Sequence, residues 1–286
     1  MGWKADVAGI RQISLNWVFC ALAAQPLRGD GPARTKSEIG EDRLQDRYAG
    51  DIGDYVKLAI LRRLSAGYRL GVLWWLYPDE AHNADGKHVA YLKEPMKWRL
   101  RDPALFDALN NIVANEQRSV SALEGTGLLT GATFFARPIP TTGSNKDRRS
   151  NRAQWFDAAL RIVDNCNLVF LDPDNGLETA SYDAGRNRAG KSVALDELEA
   201  LRRPGRTIIV YHHQTRMAGG HHFELSHWGK RLADRGFTVD ALRASAFSAR
   251  AFFVLDASPD IRTRGAAMAC EWGEKLTWHA DLGNVR

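Results

Sequence analysis

The chain has 286 residues, of which 44% are apolar and nine are tryptophan, so it can bury a core and wholesale disorder is excluded. Its net charge of +5 points only weakly to an anionic partner such as nucleic acid. The three cysteines lie far apart without metal-ligand spacing, which indicates a reducing compartment and a cytoplasmic location. No apolar run approaches the length of a membrane span, so no membrane partner is expected.

The first 46 residues differ in composition from the rest of the chain. Residues 13–24 have the length of a signal-peptide core, but the leader before them is poor in basic residues. Residues 28–47 are polar and rich in Gly and Pro. We expect 1–46 to be a loosely ordered extension and 47–286 to form a single α/β domain.

The first elements of that domain are a helix and an apolar strand. Asp54 is a candidate N-cap, and the helix after it, which contains Lys57, has one apolar face up to residue 64. Its first-turn amides could hold an anion. The strand predicted over 70–77 then ends at the acidic pair Asp79 and Glu80.

The middle of the chain carries two basic stretches. Residues 91–101 interleave basic and aromatic side chains, a pattern that suits stacking on bases beside phosphates, although long side chains lying along a helix edge explain it too. Residues 141–152 are predicted to be a basic loop, either contacting phosphate or merely solvated. Between them the pattern predicts a helix over 103–116 and short strands over 119–123 and 133–139.

A helix over 152–163 leads to the strand 168–171, around which the chain is organised. This short apolar run is typical of a strand buried on both faces. It ends at Asp172-Pro173-Asp174-Asn175, where proline and a following glycine favour a turn.

A second buried strand, 207–211, ends at His212-His213. Because ligands of open α/β sheets bind at the carboxyl ends of strands, we expect Asp172, Asp174, Asp79, Lys57 and His212 to line one cleft.

The remaining elements complete an alternating pattern. Helices are predicted over 194–203, 223–235 and 262–272, and strands 237–242 and 250–255 are joined by a link too short for a parallel crossover. The predicted fold is therefore α/β, a Rossmann-like, doubly wound, mostly parallel sheet with a C-terminal antiparallel hairpin.

Two motifs carry a resemblance to a known family. The segment 48–57, Tyr-Ala-Gly-Asp-Ile-Gly-Asp-Tyr-Val-Lys, resembles the opening His-Ala-Gly-Asn-x-Ala-Asp-Val-x-Lys of the J-type ribosomal RNA adenine methyltransferases, and 171–175 stands where that family has Asp-Pro-Pro-Tyr. The sheet outline is similar to that of S-adenosylmethionine-dependent methyltransferases, whose last strand is antiparallel.

The resemblance implies S-adenosylmethionine as cofactor and an amino group of a nucleic acid or nucleotide as acceptor. Lys57 would contact the cofactor, and Asp172 would polarise the target amine. We extend the cofactor-binding set to Asp54, Asp79 and Glu80, and the catalytic set to Asp174, Asn175 and His212.

The residues leave two alternatives open. A metal-dependent hydrolase or nuclease would use Asp79, Glu80, Asp172, Asp174 and His212 or His213 as ligands for Mg²⁺, Mn²⁺ or Zn²⁺. A non-catalytic nucleic-acid-binding module would keep the sheet without the chemistry. The oligomeric state is not indicated by the sequence.

Overall fold

The computed structural model describes residues 49–78, 88–246 and 248–283, which belong to one compact unit. The predicted extension 1–46 lies outside the described residues. Within these ranges, seven strands form one sheet in the order β2-β1-β3-β6-β8-β7-β9, and β4 and β5 form a two-stranded sheet. The strands are β1 (Leu70–Trp74), β2 (Thr133–Phe135), β3 (Leu168–Asp172), β4 (Gly176–Leu177), β5 (Ser192–Val193), β6 (Thr207–His213), β7 (Val239–Ala244), β8 (Arg250–Leu255) and β9 (Leu276–His279).

Helices cover both faces of the large sheet. They are α1 (Ile52–Leu64), α2 (Pro95–Trp98), α3 (Pro103–Ala114), α4 (Val120–Gly125), α5 (Asn145–Ile162), α6 (Leu195–Leu201), α7 (Gly220–Asp234) and α8 (Pro259–Trp272). Along β3, Leu168 and Phe170 pack into the core beneath α1, α3 and α8, whereas Val169 and Leu171 pack into the core beneath α5, α6 and α7. The continuous apolar run of this strand is thereby explained, because both of its faces are buried.

The sheet has a parallel half and an antiparallel half. Strands β2, β1, β3 and β6 pair in parallel, with Trp74 opposite Asp172 and Leu171 opposite Val210. This register brings the carboxyl ends of β1, β3 and β6 to one edge of the sheet. Asp172 and the residues after it therefore lie level with the ends of both neighbouring strands.

The prediction of an α/β fold is confirmed, but the prediction of a mostly parallel sheet is not. Three neighbouring pairs are parallel and three are antiparallel. The hairpin of β7 and β8 forms as predicted, but β8 inserts between β6 and β7 and is antiparallel to both. In addition β9, which the sequence did not predict, pairs with β7 at the outer edge.

Several local predictions were wrong. Residues 120–125 form α4 instead of a strand, because the side chain of Ser119 accepts a hydrogen bond from the Ala122 amide and caps a helix. The strand predicted over 133–139 ends at Phe135. The segment 88–101 buries its rings, since Tyr91 and Trp98 pack against Tyr55 in the core and are not free to stack on bases.

The basic segment 141–152 is not a loop over most of its length. Ser144 and Asp147 form a capping box that starts α5 at Asn145, two turns earlier than predicted. Its arginines are used internally: Arg149 binds Asp183, and Arg152 binds Glu197. Neither of these two guanidinium groups needs a phosphate as its partner.

No helix within the described residues has both the length and the apolar character required to cross a membrane.

Candidate functional site

A cleft of about 450 Å³ opens at the edge of the sheet where β1, β3 and β6 end. The start of α1 forms one wall, and the turn after β3 forms another. Lys57, Asp54, Asp172, Asp174 and Asn175 all line it. The structure thus brings together five of the eight site residues predicted from the sequence.

The start of α1 is organised by two aspartates. Asp51, and not Asp54, is the N-cap, because its Oδ1 accepts a hydrogen bond from the Asp54 amide at 3.0 Å. Asp54 sits in the first turn, and its Oδ2 accepts a hydrogen bond from the Gly50 amide at 3.0 Å. The other carboxylate oxygen of Asp54 is thereby directed to Lys57, one turn further along the helix.

Lys57 joins the two predicted motifs. Its Nζ donates to Asp54 Oδ1 at 2.9 Å and to Asp172 Oδ2 at 2.6 Å, although Asp172 lies 115 positions away in the chain. The ammonium group also lies 5.5 Å from the Trp74 ring centre and 5.9 Å from that of Tyr211. One buried cation therefore neutralises two carboxylates between two aromatic faces.

The charges of this cluster are unevenly matched. Burial alone would lower the pKa of Lys57, but the carboxylates of Asp172 and Asp54 outweigh it and raise that pKa above its ordinary value. Burial raises the pKa of Asp172 to about 6; Lys57 opposes this rise, and Asp54 and Asp174 add to it. Both pKa values rise because one cation is shared between acids. Asp172 can therefore exchange a proton near neutral pH.

The turn after β3 is clamped on one side by the second, small sheet. The Asn175 amide donates to the Lys191 carbonyl at 2.8 Å, and β4 pairs in parallel with β5. The Lys191 ammonium lies 3.3 Å from Asp174 Oδ2. These contacts fix Asp174 and leave the Asn175 side chain exposed at the rim of the cleft.

His212 lies behind the cleft wall and does not line the cleft. Its Nδ1 accepts a hydrogen bond from the Leu177 amide at 3.2 Å, so Nε2 carries the proton and faces Glu224 Oε1 at 3.3 Å. Gly176 lies against this ring: a Cβ there would come within 2.3 Å of His212 Nδ1. The histidine expected to be catalytic thus anchors the turn that follows Asp172 from the other side.

Three cleft residues were missed by sequence reasoning: Tyr211, His213 and Arg250. Because side chains alternate along a strand, Tyr211 and His213 share the face opposite to His212, a signal that could have selected the correct histidine. Burial and Arg250 both lower the pKa of His213. Arg250 enters because it pairs with His213 across the antiparallel strands, an adjacency that no local pattern indicates.

Two predicted residues, Asp79 and Glu80, lie outside the described residues, so their predicted roles remain predictions. In the part of the chain that is described, no group of three or more His, Cys, Asp or Glu residues is arranged to hold a metal ion. The chain matches no protein-family model. No curated protein matches it either.

Proposed function

We propose that the protein is an S-adenosylmethionine-dependent methyltransferase whose acceptor is an amino group of a nucleic acid or nucleotide. The observation that carries this proposal is the 2.6 Å contact between Lys57 Nζ and Asp172 Oδ2. It joins the two segments on which the methyltransferase resemblance rests, and it does so at the sheet edge where α/β proteins bind ligands. The four adjoining parallel strands, helices on both faces and the antiparallel β8 are also compatible with a Rossmann-like methyltransferase.

The cleft fits the cofactor in size and in chemistry. Its volume of about 450 Å³ falls within the range of about 300–1,000 Å³ that is usual for small-molecule sites. S-adenosylmethionine supplies an electrophilic methyl group on a positively charged sulfur. Carboxylates such as Asp54 and the rings of Trp74 and Tyr211 are suitable surroundings for a cationic ligand.

Asp172 has the properties required of the group that receives the acceptor amine. Ionised above a pKa of about 6, its carboxylate can accept an N–H of the amine and so increase the electron density on the nitrogen. Lys57 holds that carboxylate in a fixed orientation. The exposed Asn175 amide offers both a donor and an acceptor, the combination by which amides read an adenine edge. A duplex substrate would have to extrude its base to reach this cleft.

The position of Lys57 favours the methyltransferase over the metal-dependent hydrolase. A divalent ion bridging Asp54 and Asp172 would have to occupy the region where the Lys57 ammonium contacts both carboxylates. Removing that ammonium would require deprotonating it, and its pKa is raised by the same two acids. The hydrolase and the binding module are therefore retained as outcomes of the experiment.

The experiment separates cofactor binding from chemistry. Isothermal titration with S-adenosylhomocysteine should show binding to the wild type, to Asp172→Asn and to Asp157→Asn, which changes an exposed aspartate on α5. Transfer of radiolabelled methyl groups to RNA, single-stranded DNA or nucleotides should fall about 10²–10⁴-fold in Asp172→Asn alone. In the wild type, kcat/KM should rise with pH through about 6 as Asp172 ionises.

Other results would assign the cleft differently. A wild type that ignores S-adenosylhomocysteine but hydrolyses a phosphodiester with Mn²⁺ would establish the hydrolase. Nucleic-acid binding without cofactor binding or turnover would establish the binding module. Full methyl transfer by Asp172→Asn, with an unchanged pH profile, would remove Asp172 from the chemistry.

A further inference from the structure

Arg250 is a buried cation that the proposed chemistry does not use. It is the first residue of β8, lines the cleft and is only 6% exposed. Its Nη1 donates to the Ala246 carbonyl at 3.0 Å, and among the described residues no carboxylate lies within ion-pair distance of its guanidinium group. Burying a charge without an ion pair is costly, so this arginine is suited to a ligand that supplies the missing negative charge.

A notch at Gly53 lies between Arg250 and Asp51. A Cβ placed on Gly53 would lie 3.0 Å from Arg250 Nη2 and 2.9 Å from Asp51 Oδ1. The absence of a side chain at this position thus keeps open a space that has a guanidinium group on one side and a carboxylate on the other. Gly53 is also in the first turn of α1, where backbone amides have no intrahelical acceptor and favour a negative group.

We infer that Asp51, Gly53 and Arg250 form a subsite for a zwitterionic α-amino-acid group. The inference rests on the proposed function, because S-adenosylmethionine carries such a group at the end of its methionine part. The ligand's carboxylate binds Arg250 and the first-turn amides, and its ammonium group binds Asp51. An anion alone would be repelled by Asp51 and a cation alone by Arg250, so the pair selects a ligand that carries both charges.

A pair of related ligands tests the subsite directly. S-adenosylhomocysteine has the amino-acid group, and 5′-methylthioadenosine lacks it but keeps the adenosine and the sulfur. Isothermal titration of the wild type should show tighter binding of S-adenosylhomocysteine. Arg250→Gln should weaken that binding about 10- to 100-fold, the effect of losing a hydrogen bond to a charged group, and should leave 5′-methylthioadenosine unaffected. Arg161→Gln, an exposed change on α5, should alter neither affinity.

A second variant guards against a general loss of structure. Gly53→Ala fills the notch, and the two side-chain ends it would meet can move aside. Because alanine is the better helix former, the melting temperature should stay the same or rise. The affinity for S-adenosylhomocysteine should nevertheless fall, and that for 5′-methylthioadenosine should not. Reduced ligand affinity at undiminished stability is not expected from a purely structural residue.

The outcomes separate this inference from the proposed function. If the wild type binds both ligands equally, or if Arg250→Gln and Gly53→Ala weaken both alike, the subsite is wrong while the cofactor assignment stands. If the wild type binds neither ligand, the proposed function is wrong and the subsite falls with it.

Discussion

Two buried cations, Arg152 and Lys57, are held by carboxylates in contrasting ways. Arg152 binds both oxygens of Glu197, at 2.7 and 2.8 Å, and its other donors reach the carbonyls of Ala189 and Ser192. Its planar, forked group is therefore fully occupied. Lys57 is a single ammonium shared between Asp54 and Asp172, with Asp174 close enough to raise the pKa of Asp172.

The difference indicates what each cluster does. The matched Arg152 pair ties α5 to α6 and to the segment around Ala189, and it offers nothing to a ligand. The Lys57 cluster lines a cleft and has more acids than bases, so a proton or a cationic ligand can still change its charge. An excess of like charge at a preformed cleft is the usual sign of a functional site, whereas a saturated pair is the usual sign of a structural one.

The largest expected effect is on the Arg152 side of the comparison. Arg152→Met should reduce the free energy of unfolding by about 3–5 kcal/mol, because Glu197 would be left buried without its cation. Urea denaturation monitored by circular dichroism measures this. The double variant Arg152→Met/Glu197→Leu should recover part of the loss, since it removes both charges.

Arg149→Met is the matched control on the same helix. Arg149 also pairs with an aspartate, Asp183, but its side chain is 53% exposed. The loss there should be about 0–1 kcal/mol, as for other solvent-exposed pairs. Equal losses in Arg149→Met and Arg152→Met would show that burial does not distinguish the two pairs.

Removing the cation of the cleft should cost less than removing Arg152. Lys57→Met leaves Asp54 and Asp172 facing each other without a counter-charge, and we expect a loss of about 2–4 kcal/mol at pH 7. The loss should shrink at pH 5, because Asp172 can take up a proton and relieve the repulsion. Parallel urea titrations at the two pH values measure it. A loss that is the same at both values would mean that Asp172 does not titrate between them.

The smallest expected effect is the pH dependence of stability that Asp172 itself contributes. Its pKa is about 6 in the folded protein against an ordinary 3.8, so the folded state binds the proton more tightly than the unfolded chain. Stability should therefore fall as the pH rises from about 4 to about 6 and then level off. Relative to Asp172→Asn, the wild type should lose on the order of 1–3 kcal/mol across this window.

Unfolding experiments on both proteins at closely spaced pH values test the sign. A wild type that gains stability over Asp172→Asn across this window would mean that the attraction of Lys57 exceeds the cost of burial. In that case the pKa of Asp172 would lie below its ordinary value, and the comparison with the saturated Arg152 pair would lose its force.

The meeting of Lys57 and Asp172 could be anticipated because both depend on local rules. A short apolar run predicts a buried strand, its end predicts where Asp172 emerges, and parallel neighbours bring their ends to one edge. The choice between His212 and His213 also obeys a local rule, the alternation of side chains along a strand, which was not applied. Capping at Ser119 and Ser144 is local too, and it would have replaced a predicted strand by α4 and lengthened α5.

The sequence by itself determined the class of the fold, the buried strands at its centre and the acidic turn after the middle strand, because each depends on hydrophobic pattern and turn chemistry over a few residues. The tertiary structure alone decided that β8 lies between β6 and β7, that Arg250 faces the notch at Gly53, and that Tyr91 and Trp98 are buried in the core. Strand order and the burial of individual rings follow from how distant elements pack together, and the free energy of that packing is not encoded in any single stretch of the chain.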